Sequence, residues 1–531
     1  MKSIILKTFS TLIMFLTLLA CNNEKLLTEF PDSIPLNSEF SVEKKIDKDE
    51  ENSYSIFLKN GEAILANINQ LSIDVVIDIY DSDHQLLKSI DGAGYIEHID
   101  FSAKRSDNYF FKVYPFDKEA FGGVYLFEVK EIMILEENVK RIAKKEIPSK
   151  TLYNLWVKSL KEKNVIDEFL NSHKTKHIIE PIQGNSIESR VTYFYVPSKD
   201  AEYVMQSGGP DFMGLRFKQL GNTKLFFTSH VVPNDALFNY GFNEFKLYAL
   251  GPEEEYSYRD MEHVYDDFVQ MPGVIRNPYS IENSEVKKGV LNEFTIPSSY
   301  LNEDRKITVY LPNSYDSNKE HKLLILFDGE EYGAILNRRA EVPTPIILDN
   351  LLANNKIEPT IAVMVWSLGK RNKDLISASF GSFIARELVS WARESFTIGL
   401  KPNDICVAGS SRGGYAASFI ASQHSDIIGN VISQSGSFWI TNNDKNNHWM
   451  YPTKQGQLIQ FFKNSKKLPI RFYLDIGLYD QGASMLGMNR EFRSIIESKG
   501  YDFVYEEFKG GHSYLNWKET LPNGVISIFG K

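Results

Sequence analysis

A chain of 531 residues with 43% hydrophobic side chains is too long for one ordinary core and has apolar groups enough for about two to four domains. Its formal net charge of −10, with no dense Lys/Arg block, argues against a nucleic-acid partner, because phosphates need a basic face. The 13% aromatic share argues against long disorder. The first twenty residues read as a secretory signal: Lys2 and Lys7 flank the start of an apolar run, Ile4 to Leu19, followed by small Ala20. No other stretch approaches the roughly 20 apolar residues of a bilayer span.

The junction "LLAC" resembles a bacterial lipobox. That resemblance implies a lipidated Cys21 as the first mature residue, anchored in the cell envelope and facing the periplasm or the cell surface. Each buried acyl methylene would contribute about 0.8 kcal/mol. Residues 21–40 then form a polar tether. Cys406 is left alone in the mature chain, within the apolar run "DICVAG", and is expected to be a buried thiol with no disulfide.

Residues 41–134 contain short alternating stretches, "YSIFLKNG", "AILANINQLS", "DVVIDIYDSD", "DNYFFKVYPF" and "GGVYLFEVKEI", with turns between them. This pattern predicts a β-sandwich. It resembles the bacterial pre-peptidase C-terminal type of β domain. "DSDHQ" (81–85) lacks the Gly and distal Glu of an EF-hand and reads as a hairpin turn. Residues 135–182, rich in Lys, Glu and Leu and broken at Pro148, read as a helical connector. His173 and His177 stand four apart there, but no third ligand accompanies them, so they read as solvated and no metal site is expected.

From 183 to 283 strands return, as "SRVTYFYVPS", "LGNTKLFFTSHVVP" and "LFNYGFNEFKLYAL", with the exit "MPGVIRNPYS". This order is similar to the Ig-like N-terminal β domain of enterochelin esterases. Residues 284–531 alternate strands and helices. "KLLILFDG", "TIAVMVWSL", "DICVAG", "NVISQSG" and "IRFYLDIGLYD" are continuous apolar runs, which predict a mostly parallel sheet flanked by helices. The fold expected is therefore two N-terminal β-sandwich domains followed by an α/β-hydrolase domain.

The chemistry centres on "VAGSSRGGYAAS". A nucleophile elbow, Gly-x-Ser-x-Gly, turns a strand into a helix and lifts the serine above the sheet. Gly409 and Gly413 straddle Ser411, whereas Ser410 has Ala408 and Arg412 at the same offsets. Ser411 is therefore the expected nucleophile, and it needs a base. Of the histidines following the elbow, His424 lies down its helix and His448 in a polar loop. His512, in "KGGHSY" after a strand, is placed as the base in the chain order Ser, acid, His. The acid is Asp480, just past "FYLDIGLYD", rather than Asp475 within it. Oxyanion donors are expected from the backbone of Arg412 and of Gly329 or Glu330 in "FDGEE".

"LLILFDGEEY", "SQSGSFWI", "FYLDIGLYD" and "GGHSYLNW" run in the order seen in enterochelin (ferric enterobactin) esterases and the esterase D group. The resemblance covers roughly residues 183–531 and implies a serine hydrolase that cleaves ester bonds of a catecholate siderophore, without a cofactor. The family often has "GQS" where this chain has "GSS". Its acid position varies among members. An anionic substrate would seek cations, and Arg338, Arg339, Lys370 and Arg371 join Arg412 as candidates. Trp439 and Trp517 could stack on aromatic rings. The same hydrolase group also includes feruloyl and acetyl esterases of glycans, and a non-catalytic siderophore- or glycan-binding lipoprotein is the reading from another class.

Overall fold

The computed structural model describes residues 32–531 except 93, 118–121, 211–213, 248–258, 334–340, 442–451 and 453. The signal segment, Cys21, Arg338, Arg339 and His448 lie outside the described residues. The chain divides between Leu160 and Lys161 into two compact units.

In the first unit, a five-stranded and a four-stranded sheet enclose one core. Alternation puts Ile64, Ala66 and Ile68 of the strand Ala63–Gln70 into that core, with Ile77, Phe111 and Val113 from the opposite sheet. Within it the hydroxyls of Tyr54 and Tyr125 pair at 2.7 Å across the two sheets. Residues 81–85 join the antiparallel strands Val75–Tyr80 and Leu86–Ile90, and Asp81 Oδ1 accepts the N–H groups of Asp83 and Gln85. The helices Leu135–Glu146 and Lys150–Ser159 follow, broken around Pro148, with Ser149 capping the second.

The second unit opens with the helix Val165–Ser172 and a β domain of a four-stranded and a three-stranded sheet around a shared core. Its first strand is His177–Ile182, which begins inside the stretch read as connector. His173 and His177 therefore share no helix face. The first caps the helix end, and the second pairs through Nδ1 with the Tyr240 hydroxyl at 2.9 Å.

The C-terminal domain is built on one sheet. Its strands are β1 (Val290–Ser298), β2 (Glu303–Leu311), β3 (Lys322–Leu326), β4 (Thr360–Val365), β5 (Ile405–Ser410), β6 (Asn430–Gln434), β7 (Arg471–Gly477) and β8 (Asp502–Phe508). They lie in the order β1-β2-β4-β3-β5-β6-β7-β8. The pairs β1/β2 and β2/β4 are antiparallel, and every pair from β4 to β8 is parallel. Helices cover both faces, which explains the unbroken apolar runs. Leu323 and Ile325 of β3 enter one core and Leu324 and Leu326 the other; Val407 and Cys406 of β5 divide in the same way. Cys406 is free and buried, and burial pushes its thiol pKa up. The chain leaves β3 for β4 and then crosses back to β5. The loops after β3 and β5 therefore diverge and open a crevice at the carboxyl edge of the sheet.

Candidate active site

Ser411 stands at the end of β5 with φ 57° and ψ −119°, and the helix Arg412–Gln423 starts directly after it. A left-handed backbone at a residue with a Cβ is strained, and its neighbours hold it there. Its N–H donates to the Gln434 carbonyl at 2.8 Å, and its carbonyl accepts the Ser437 N–H at 3.0 Å. Close approach explains the first elbow glycine: a Cβ on Gly409 would lie 2.7 Å from the Gly413 carbonyl carbon. The Ser411 hydroxyl is 3.4 Å from that of Ser437.

His512 Nδ1 lies 2.9 and 3.0 Å from the two oxygens of Asp480, which is buried just beyond β7. Asp475 is placed differently. It is fully buried inside β7, where its carboxylate faces Gln434 Nε2 at 3.5 Å, and burial pushes its pKa up to about 7. Of the two aspartates, Asp480 is the one the structure brings to the histidine.

Ser411 and His512 line one cavity of about 720 Å³, together with Arg371, Glu341, Ser513, Tyr514, Trp517 and Lys518. Gly329, Glu330 and Arg412 are first-turn residues of their helices, whose N–H groups lack a carbonyl within the helix. Asp328, which precedes Gly329, is buried with φ 54°. It binds the Arg371 guanidinium through both oxygens at 2.8 and 2.9 Å, and Arg371 also donates to the Ser410 carbonyl at 3.2 Å. Arg371 thus lines the cavity with its charge already paired. The Glu330 carboxylate is taken by the N–H groups of Ser367 and Leu368.

The two tryptophans fall differently from the expectation of free stacking faces. Trp517 lines the cavity but is only 4% exposed, donates Nε1–H to Ser435 Oγ at 3.1 Å, and presents its ring edge-on to His512 at 4.9 Å. It walls the histidine. Trp439 packs against the core beneath the Arg412 guanidinium, 5.8 Å from its ring, and is not among the residues lining the cavity. Burial and the charge of Arg371 lower the Arg412 pKa. His424 is buried at the end of the elbow helix, and burial lowers its pKa.

Two lining residues, Asn239 and Phe268, come from the preceding β domain and carried no signal in the sequence. In the first unit Asp74, Asp91 and Glu97 bring one oxygen each within 4.8 Å of one another. Glu97 there already accepts from Gln70 Nε2 and the Gly92 N–H.

Residues 298–528 match the Esterase family model, described as "Putative esterase". This chain carries an enterochelin-esterase-like α/β-hydrolase domain and is an esterase. The chain is 24% identical over 247 residues to the uncharacterized protein YjcH of Bacillus subtilis (strain 168), covering 44% of this chain and 95% of that one. It is 23% identical over 238 residues to the iron(III) enterobactin esterase of Dickeya dadantii (strain 3937), covering 43% of this chain and 52% of the relative. The chain thus spans about half the length of that enterobactin esterase. The crystal structure of ferric enterobactin esterase from Salmonella typhimurium superposes with a TM-score of 0.53 at 18% identity, over 68% of this chain and 98% of that one. That share exceeds the esterase domain, so the shared fold extends beyond it.

Proposed function

We propose that the esterase works through an acyl-enzyme on Ser411, with His512 as general base and Asp480 as its partner. The observation that carries this reading is a strained serine and a carboxylate-bound histidine lining one cavity. With Nδ1 engaged by Asp480, Nε2 is the nitrogen left to take the Ser411 proton. Attack on an ester carbonyl develops an oxyanion, which the N–H groups of Arg412 and of Gly329 or Glu330 receive. His512 then protonates the leaving alcohol, and water releases the acid by the reverse sequence.

The substrate class we propose is the ester of a catecholate siderophore. It is supported by the likeness to iron(III) enterobactin esterases and by a cavity roomy enough for an aromatic acyl group. We further propose that Cys21 is lipidated and holds the protein in the cell envelope, on the strength of "LLAC", and that residues 41–134 are a pre-peptidase C-terminal-like domain.

A fluorophosphonate probe tests the nucleophile: wild type should be labelled and Ser411→Ala should not. An unlabelled wild type rejects the serine mechanism. Ferric enterobactin should be hydrolysed faster than methyl ferulate, and indifference to both would reject the substrate class while leaving the esterase. Loss of palmitate incorporation in Cys21→Ala checks the anchor.

A further inference from the structure

The loop bearing His512 is fastened to a different domain, and the fastening converges on one amide. Asn516 is 4% exposed, in the first turn of the helix Tyr514–Phe529. Its Nδ2 donates to the carbonyl of Leu237, in the β-domain strand Leu237–Leu247, at 2.7 Å. Its Oδ1 accepts the Gly511 N–H at 3.0 Å and the Ser513 hydroxyl at 3.3 Å. The same side chain therefore grips the residues on either side of His512 and the backbone of the neighbouring domain. Only one orientation of the amide does this, because a flipped one would set oxygen against the Leu237 carbonyl and N–H against N–H.

The surroundings share the same design. Gly510 must be a glycine, since a Cβ there would meet Asn516 Nδ2 at 2.3 Å. The Leu237 N–H donates to the Lys509 carbonyl at 2.9 Å, and Lys509 Nζ reaches Asp235 at 2.8 Å. The Ser513 hydroxyl shares its one proton between Asn516 Oδ1 and Asn239 Oδ1, the latter nearer at 2.9 Å. On the acid side, the Phe238 ring meets Tyr479 edge-on at 5.5 Å, next to Asp480, and the Tyr479 N–H donates to the Gly510 carbonyl at 2.9 Å. Residues 235–239 of the β domain thus brace both the acid loop and the base loop.

We infer that Asn516 is a positioning residue, and that through it the β domain sets the aim of His512; this rests on the reading of His512 as the base. Asp480 fixes one ring nitrogen but not the backbone that carries the ring. The paired glycines before His512 have no side chains to lock that backbone, and the Asn516 amide supplies the restraint. A base displaced by about 1 Å costs on the order of 10² in rate.

The test is a double-mutant cycle in the full-length protein, read as kcat and KM on p-nitrophenyl butyrate alongside thermal unfolding. Asn516→Asp keeps the shape and the Oδ1 acceptor but replaces the donor with an oxygen that faces the Leu237 carbonyl. It should lower kcat about ten-fold or more, leave KM within about two-fold, and have almost no further effect in a His512→Ala background. Wild-type kcat, a change confined to KM, or an equal loss in the His512→Ala background would each overturn the inference. Should Asn516→Asp fail to fold, the exposed Asn239→Ala decides: about a three-fold loss of kcat, absent from the His512→Ala background, supports the inference, and wild-type kcat overturns it. Wild-type turnover by His512→Ala alone would instead overturn the assignment of the base, and the inference with it.

Discussion

Asp475 within β7 and Asp480 just beyond it meet different environments, and the difference decides their chemistry. Asp480 meets His512 Nδ1 with both of its oxygens. Asp475 is sealed between Gln434, Thr520 and the sheet, where burial is the largest influence on its carboxyl and one oxygen has no partner. A carboxyl with a folded pKa near 7 holds a proton that the unfolded chain gives up near pH 4. Folding therefore binds a proton between those values, and stability falls as pH rises through that window, staying low above it. Asp475→Asn keeps the shape and removes the ionisation. Its unfolding temperature should exceed that of wild type by a few degrees at pH 8, and the gap should close as pH approaches 4. An equal shift at both ends in thermal scans would mean that packing, not charge, dominates at this position.

At the scale of elements, the strand–turn–helix around Ser411 was the most legible part of the chain, because the elbow is local. A buried run, two glycines at fixed offsets and a helical pattern all lie within residues 405–423. The continuous apolar strands revealed the C-terminal sheet for a similar reason, since burial on both faces leaves a plain one-dimensional record. What depended on contacts distant in sequence was not legible. In the sequence Trp517 reads as a stacking platform, and only the fold shows its indole held by Ser435 and its edge against His512. Asn239 and Phe268 belong to another domain and sit in unremarkable strand sequence. Arg371 carries a charge that Asp328, distant in the chain, has already paired. The elbow makes a prediction of its own. In Gly409→Ala the new Cβ would press on the Gly413 carbonyl carbon at 2.7 Å, so the turn must open and carry the Ser411 hydroxyl off line. Turnover of a small ester should fall by about 10² with little change in KM. Unchanged kcat would show that the turn absorbs a methyl group without moving the Ser411 hydroxyl.

On the scale of the whole molecule, the described residues that line the cavity all lie in the unit that begins at Lys161. The first unit closes its own core between its two sheets. Between the helices Lys150–Ser159 and Val165–Ser172, residues 161–164 are exposed, and Asn164 turns through φ 67°. Exposed backbone between separately packed units is where a protease finds an extended chain to bind. Limited trypsin digestion should therefore cut first at Lys161 or Lys163. The fragment that starts there should keep full turnover of p-nitrophenyl butyrate, since Ser411, His512, Asp480 and the β-domain contacts to the His512 loop stay together. If nicking at these lysines abolished turnover while the fragment remained folded, the first unit would have to be a working part of the esterase. Retained turnover would leave it free for a separate task, such as holding the enzyme at a surface beside its substrate.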